Sequence, residues 1–230
     1  MKILGLEKVS FVDFEGKMCA TIFTGGCNYR CPFCHNAGIV LERYKIIDEN
    51  EVLAYLKERI SLLDAVTISG GEPTLQTDLI DFIKKVKSLG YLVKLDTNGT
   101  NSEVLKTLID ENLIDYVAVD IKTNFEDYSN LTCVKNPCVE VLKRTLSLLQ
   151  QSSVDYELRT TLIAEFHTLD TIKQMAEELS GHKRLYLQKF VNSENCLNSE
   201  SLHPVDKTKA LEFAKILSKT IENVNIRGYN

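Results

Sequence analysis

The chain has 230 residues, 44% of them hydrophobic and 26% charged, with a formal charge of −5. That composition excludes a disordered or fibrous chain, and the acidic balance argues against a wholesale nucleic-acid binder, which carries a basic face. No apolar run reaches the roughly 18 residues that a membrane span needs. The N-terminus has acids soon after a short apolar stretch and no small-residue cleavage site, so no signal peptide is read there and a cytoplasmic protein is expected.

In chain order, residues 1–17 read as an N-terminal segment, 18–203 as the body of a single domain, and 204–230 as a C-terminal helix. Six runs rich in Val, Ile, Leu, Tyr and Thr are predicted strands: 18–24, 65–69, 91–96, 116–121, 156–162 and 184–189. Several are apolar almost throughout, as strands buried on both faces of a parallel sheet are. Helix-period segments lie between them. Leu53, Leu56, Ile60 and Leu63 recur three or four apart, as do Leu79, Ile83 and Val86, and Leu211, Ala214, Leu217 and Ile221. Asp48 with Glu51 has the pattern of a capping box, and Gly90 follows the second helix where a C′ glycine belongs. Strand–helix alternation implies parallel pairing through right-handed crossovers. Six units are too few to close an eight-fold barrel. The expected fold class is therefore α/β, an open partial (β/α)6 TIM-like barrel with its functional groups at the C-terminal strand ends. Stretches 123–136 and 191–203 are loop candidates.

Seven cysteines are too many for an ordinary reduced chain and an odd number for a disulfide scaffold. Cys27, Cys31 and Cys34 stand at C-x3-C-x2-C spacing directly after the first predicted strand. Four thiolates normally hold a [4Fe–4S] cluster, so three local ones leave one iron open for chemistry. A structural zinc site, completed by His35 or a distant cysteine, is the alternative, but zinc motifs bring two close ligand pairs. Cys19 reads as a small buried hydrophobe, and Cys133, Cys138 and Cys196 as ordinary loop or buried thiols.

Ser69-Gly70-Gly71-Glu72-Pro73 ends the second predicted strand. A strand-to-helix turn explains the glycines and proline but not the acid. Asp96 and Asp120 end the next two strands, in Leu95-Asp96-Thr97-Asn98-Gly99 and Val119-Asp120-Ile121-Lys122, and Arg159 sits within the fifth. Adjacent strand ends of a parallel sheet face one site.

The cysteine triplet together with the GGEP turn resembles the radical S-adenosylmethionine superfamily. The resemblance covers nearly the whole chain and is nearest to the activating enzymes of glycyl radical enzymes, above all the longer form of anaerobic ribonucleoside-triphosphate reductase activating protein. The segment Val12-Asp13-Phe14-Glu15-Gly16-Lys17 is similar to that group's V-D-x-P-G-K opening, with Glu15 where proline is usual. The resemblance implies one [4Fe–4S] cluster on Cys27, Cys31 and Cys34. It implies S-adenosylmethionine held by Phe33, His35, Gly70, Gly71, Glu72, Pro73, Arg159 and Gln188, with Glu72 accepting from the methionine ammonium. It further implies a monovalent cation, Na+ or K+, on Asp96, Thr97 and Asp120, and contacts of Asp13 and Lys122 with the substrate. No side chain beyond the cluster and S-adenosylmethionine is expected to be catalytic.

The implied reaction is reductive cleavage of S-adenosylmethionine to a 5′-deoxyadenosyl radical, which takes hydrogen from a glycine of a partner enzyme. Flavodoxin or ferredoxin is the expected electron donor, and neither nucleic acid nor membrane is an expected partner. Gln188 stands where the pyruvate formate-lyase activase pattern has a histidine, which favours the reductase as partner over pyruvate formate-lyase or another glycyl radical enzyme. A small-molecule radical enzyme such as 7-carboxy-7-deazaguanine synthase and a structural metal-binding module are the remaining alternatives. No G-x-G-x-x-G opens a helix, which disfavours a nucleotide redox cofactor.

Overall fold

The computed structural model describes residues 1–229. Eight strands form one sheet in sequence order: β1 (Ile3–Ser10), β2 (Cys19–Thr24), β3 (Ala65–Gly70), β4 (Leu92–Thr97), β5 (Tyr116–Asp120), β6 (Asp155–Leu162), β7 (Arg184–Lys189) and β8 (Asn223–Arg227). β1 runs antiparallel to β2, and every later pair is parallel. Helices α1 (Ala37–Val40), α2 (Glu49–Lys57), α3 (Leu79–Ser88), α4 (Ser102–Asp110), α5 (Tyr128–Thr132), α6 (Val139–Gln151), α7 (Leu169–Glu178) and α8 (Lys207–Leu217) fill the crossovers. The two edges, β1 and β8, do not pair, so the α/β sheet curves without closing. Among the described residues no helix is long and apolar enough to cross a membrane.

All six predicted strands are present within a residue or so of the expected bounds. The expected count of six is corrected to eight, because segments 1–17 and 204–230 each add a strand. In β1 the charges of Glu7 and Lys8 lie on an exposed stretch of an edge strand, which hides the strand in a search for apolar runs. β8 is only five residues long and half polar. Asn230, the last residue of the expected C-terminal helix, lies outside the described residues.

Strand alternation divides the sheet into two surfaces. Val93, Leu95, Val117, Val119 and Leu158 are fully buried in the core under the helices. Lys94, Asp96, Asp120, Glu157 and Arg159 point to the concave side and line its cavities. Each fully buried Leu, Ile or Phe of the outer layer contributes about 1.5–3 kcal/mol.

Asp48 caps α2 by accepting from the Asn50 amide at 2.7 Å, and Gly90 closes α3 at φ +91°. Two predicted helix faces shift. α2 stops at Lys57, so Ile60 is exposed and Val52 with Leu56 makes the buried face. In α8, Leu211 is exposed, and Ala210, Phe213, Ala214 and Leu217 face inward.

Candidate active site

The loop after β2 carries the cysteine triplet over the C-terminal strand ends. Its start is fixed by the turn after β3. The Gly71 amide donates to the Thr24 carbonyl at 2.9 Å, and the Glu72 amide to the Gly26 carbonyl at 2.9 Å. A Cβ on Gly71 would stand 1.8 Å from the Gly26 oxygen, and Gly70 sits at φ +114° with its Cβ position against Thr24 backbone. Both glycines are thus required by contact between the two loops. The loop's far side is held by the α5–α6 turn: the Arg30 amide donates to the Thr132 carbonyl at 2.9 Å, and the Tyr29 hydroxyl to the Pro137 carbonyl at 2.6 Å.

The three thiols meet in one cavity of about 220 Å³. Phe33, His35, Gly70, Gly71, Asp96, Thr97, Asp120, Lys122 and Arg159 also line it. Most residues expected at the site are therefore brought together from β2 to β6. Cys133, Cys138 and Cys196 do not line it. Among the described residues no three His, Cys, Asp or Glu side chains converge on a single ion.

Burial raises the thiols of all three triplet cysteines, that of Cys27 to about 11 and that of Cys31 to about 12. Free thiols are therefore neutral at pH 7, and a bound metal must displace their protons. Three soft sulfur donors on one wall of a cavity fit a cluster held by three ligands.

Opposite the thiols lies a charged network. Arg159 Nε donates to Asp120 Oδ1 at 2.8 Å, and Arg159 Nη1 to Asp96 Oδ2 at 3.1 Å. Lys122 Nζ stands 3.2 Å from Asp120 Oδ2, and Lys94 Nζ 3.0 Å from Asp96 Oδ1. Burial disfavours the charge on Asp120, but Arg159 and Lys122 overcome it and hold the carboxyl well below its usual range. Three cations thus face two carboxylates, which leaves the network fit to receive an anion such as a ligand carboxylate. The expected cation ligands do not converge: both carboxylates are paired with side-chain cations, and the Thr97 hydroxyl donates to Glu72 at 2.7 Å.

Four further expectations are placed elsewhere. Glu72 is 0% exposed and does not line the cavity. Its carboxylate accepts from the Thr74 amide and hydroxyl at 3.0 and 2.6 Å, from Thr97 Oγ1, and from the Asn98 amide at 2.6 Å. It clamps the turn after β3 to the end of β4, and its carboxylate is engaged by groups of the chain itself. Pro73 is buried in the following 3₁₀ turn. Gln188 lines a second cavity, of about 290 Å³, together with Val12, Asp13, Glu15, Lys94, Tyr116, Glu157, Arg159 and Arg227. Asp13 accepts from the Thr21 hydroxyl at 2.6 Å there. Arg159 is common to both cavities.

Lys94, Glu157 and Arg227 were not expected at the site. Glu157 accepts from Arg227 through two contacts at 3.1 Å, and the guanidinium lies 3.3 Å from the Tyr186 ring centroid. The signal was a charged residue every second position in otherwise apolar strands: Lys94 and Asp96, Glu157 and Arg159.

Residues 21–182 match the family model described as the radical SAM superfamily. A protein named "Putative glycyl-radical enzyme activating enzyme" from Methanocaldococcus jannaschii is 34% identical over 99% of this chain and 96% of its own length. A second of that name from the same organism is 29% identical over 97% of this chain and 86% of its own. A solved domain of pyruvate-formate lyase-activating enzyme from Bacteroides vulgatus shares the fold at TM-score 0.56. It is 20% identical, over 71% of this chain and 99% of that one.

Proposed function

The chain belongs to the radical SAM superfamily, and from that premise we propose that it activates a glycyl radical enzyme by taking hydrogen from the α-carbon of a glycine. The carrying observation is that all three triplet thiols line one cavity with Arg159 and Lys122 at the C-terminal strand ends. Similarity along almost the whole chain to two proteins named as such activating enzymes supports the reading. When bound, the [4Fe–4S] cluster and S-adenosylmethionine supply the superfamily's one-electron chemistry and its 5′-deoxyadenosyl radical.

The chain's own residues would do the rest. Cys27, Cys31 and Cys34 would hold the cluster as thiolates. Arg159 and Lys122 would receive the S-adenosylmethionine carboxylate, and Phe33 with His35 would flank its adenine. The glycine would come through the second cavity, past Asp13 and Gln188, which shares Arg159 with the first. Flavodoxin or ferredoxin is the proposed donor. Gln188 and the Val12–Lys17 segment favour anaerobic ribonucleoside-triphosphate reductase as the partner.

Anaerobic reconstitution, reduction and addition of S-adenosylmethionine is the test, followed by mixing with the reductase. Release of 5′-deoxyadenosine and a glycyl radical signal on the reductase are expected. Cleavage without that signal overturns the partner. An absence of cleavage overturns the activity.

A further inference from the structure

Asn28, next to the first cysteine of the triplet, and Asn98, just past β4, meet beside the Cys27 sulfur and close a ring with Thr100. Thr100 Oγ1 donates to Asn98 Oδ1 at 2.6 Å, Asn98 Nδ2 donates to Asn28 Oδ1 at 2.7 Å, and Asn28 Nδ2 donates to Thr100 Oγ1 at 2.9 Å. Each side chain donates once and accepts once, in one sense around the ring.

The main chain fixes which way Asn98 faces. The Thr100 main-chain N–H donates to Asn98 Oδ1 at 3.1 Å. An N–H only donates, so the Asn98 oxygen faces Thr100 and its nitrogen faces away. Asn28 takes one of the two hydrogens on that nitrogen. The other is left for the Cys27 sulfur, which stands 4.0 Å from Nδ2. The Tyr29 main-chain N–H donates to the same sulfur at 3.4 Å. The free thiol points to Asn28 Oδ1 at 3.9 Å, a contact that goes once a metal displaces its proton and leaves the sulfur an acceptor only. Asn98 is 5% exposed, where an unmade hydrogen bond is costly. Its own main-chain N–H is held by Glu72 Oε2 at 2.6 Å, which anchors the residue to the turn after β3.

Reduction adds one negative charge to an iron–sulfur cluster, and hydrogen bonds to the sulfurs are among the groups that set its potential. We propose that the ring of Asn28, Asn98 and Thr100 raises the reduction potential of the cluster by holding the Asn98 amide N–H on the Cys27 sulfur; the inference rests on the proposed cluster at the triplet. Asn98 acts through the cysteine and is a positioning residue. In the step it tunes, the cluster gains one electron and the reductant loses one, and no bond forms or breaks.

The test loads the full chain anaerobically with iron and sulfide, without S-adenosylmethionine. The chain is poised with titanium(III) citrate, and the electron paramagnetic resonance amplitude of the reduced cluster is read against potential. Asn98→Ala removes the donor. Asn98→Asp keeps the oxygen that faces Thr100 and sets a second acceptor toward the sulfur. Both are expected to lower the reduction equilibrium constant at least about tenfold, or about 59 mV for one electron, with the larger shift in Asn98→Asp. Thr100→Val removes only the hydroxyl and leaves the main-chain N–H on Asn98, so its shift is expected to stay within about threefold. Iron content and the urea midpoint show that each variant folds and holds its cluster. Loaded Asn98 variants within about twofold of the unaltered chain overturn the proposal. Loss of the cluster from both Asn98 variants makes the ring a brace for the loop and overturns it as well. If the unaltered chain takes up no [4Fe–4S] cluster, the assignment of the triplet falls and the tuning role falls with it.

Discussion

At the cysteine end of the concave surface, three thiols stand in one cavity, raised by burial and with no cation in hydrogen-bond contact. One or two residues further down the strands, Lys94, Glu157 and Arg227 stand in the neighbouring cavity, each tied to named partners of this same chain. The first region is costly to charge alone, so its thiols ionise only as a bound metal displaces their protons. In the second, Lys94, Glu157 and Arg227 are held by ion pairs within the chain. Arg159 belongs to both, so it is where the contrast is tested most sharply.

Breaking the first region should abolish chemistry while sparing the fold. Cys31→Ala removes one of three cluster ligands, so 5′-deoxyadenosine formation is expected to fall at least about 10³-fold, with iron content lost in parallel. Urea unfolding of the metal-free chain should shift by about 1 kcal/mol or less, since a thiol that makes no hydrogen bond leaves no partner behind. A variant that keeps its iron and its turnover removes the cluster from this loop.

Breaking the shared residue should cost both. Arg159→Met leaves Asp96 and Asp120 without their common partner. Truncating one member of a buried ion pair costs about 3–5 kcal/mol, and the lower end applies because the Asp120 side chain stays a third exposed. Urea unfolding should show that loss, and equilibrium binding should show weaker uptake of S-adenosylmethionine. An unchanged dissociation constant would assign Arg159 to the scaffold alone.

The sequence revealed the first region far better than the second. Cysteine spacing and the GGEP turn are local patterns, and each mapped onto one loop. Strand bounds were legible because helix-covered faces are apolar, whatever the other face carries. The second region is built from single residues on β4 to β8, whose meeting depends on register across five strands. No local pattern encodes that. Glu72 shows the same limit in reverse: its motif was legible, but the direction of its carboxylate is set by Thr74, Thr97 and Asn98, two of which come from another strand end.

Away from both cavities, His182 measures what burial alone does to a titratable group. It is 2% exposed, its ring nitrogen faces the Tyr156 hydroxyl at 2.9 Å, and burial lowers its pKa to about 4. The unfolded chain takes up this proton near pH 6.5 and the folded chain does not. Stability from this residue is therefore full above about pH 7 and falls as pH drops from 6.5 toward 4. Between pH 7 and pH 5 its share of the loss is roughly 2 kcal/mol. In His182→Gln, the pH 7 minus pH 5 difference in unfolding free energy should shrink by that amount. An unchanged difference would show that the imidazole is hydrated in the folded state.

The smallest effect is expected where the chain departs from the V-D-x-P-G-K pattern. Glu15 reaches Arg227 Nη2 at 3.2 Å, joining the N-terminal loop to β8 across the open edge of the sheet. Its side chain is 77% exposed, and Arg227 is already held by Glu157 and by the Tyr186 ring. Loss of Glu15 therefore leaves no unpaired buried charge, and an exposed pair is worth about 0.2–1 kcal/mol. Glu15→Gln should shift the unfolding free energy by no more than that, and the shift should vanish at high salt. A larger, salt-resistant loss would mean that the pair seals the edge of the second cavity, which would move Glu15 from the rim into the scaffold.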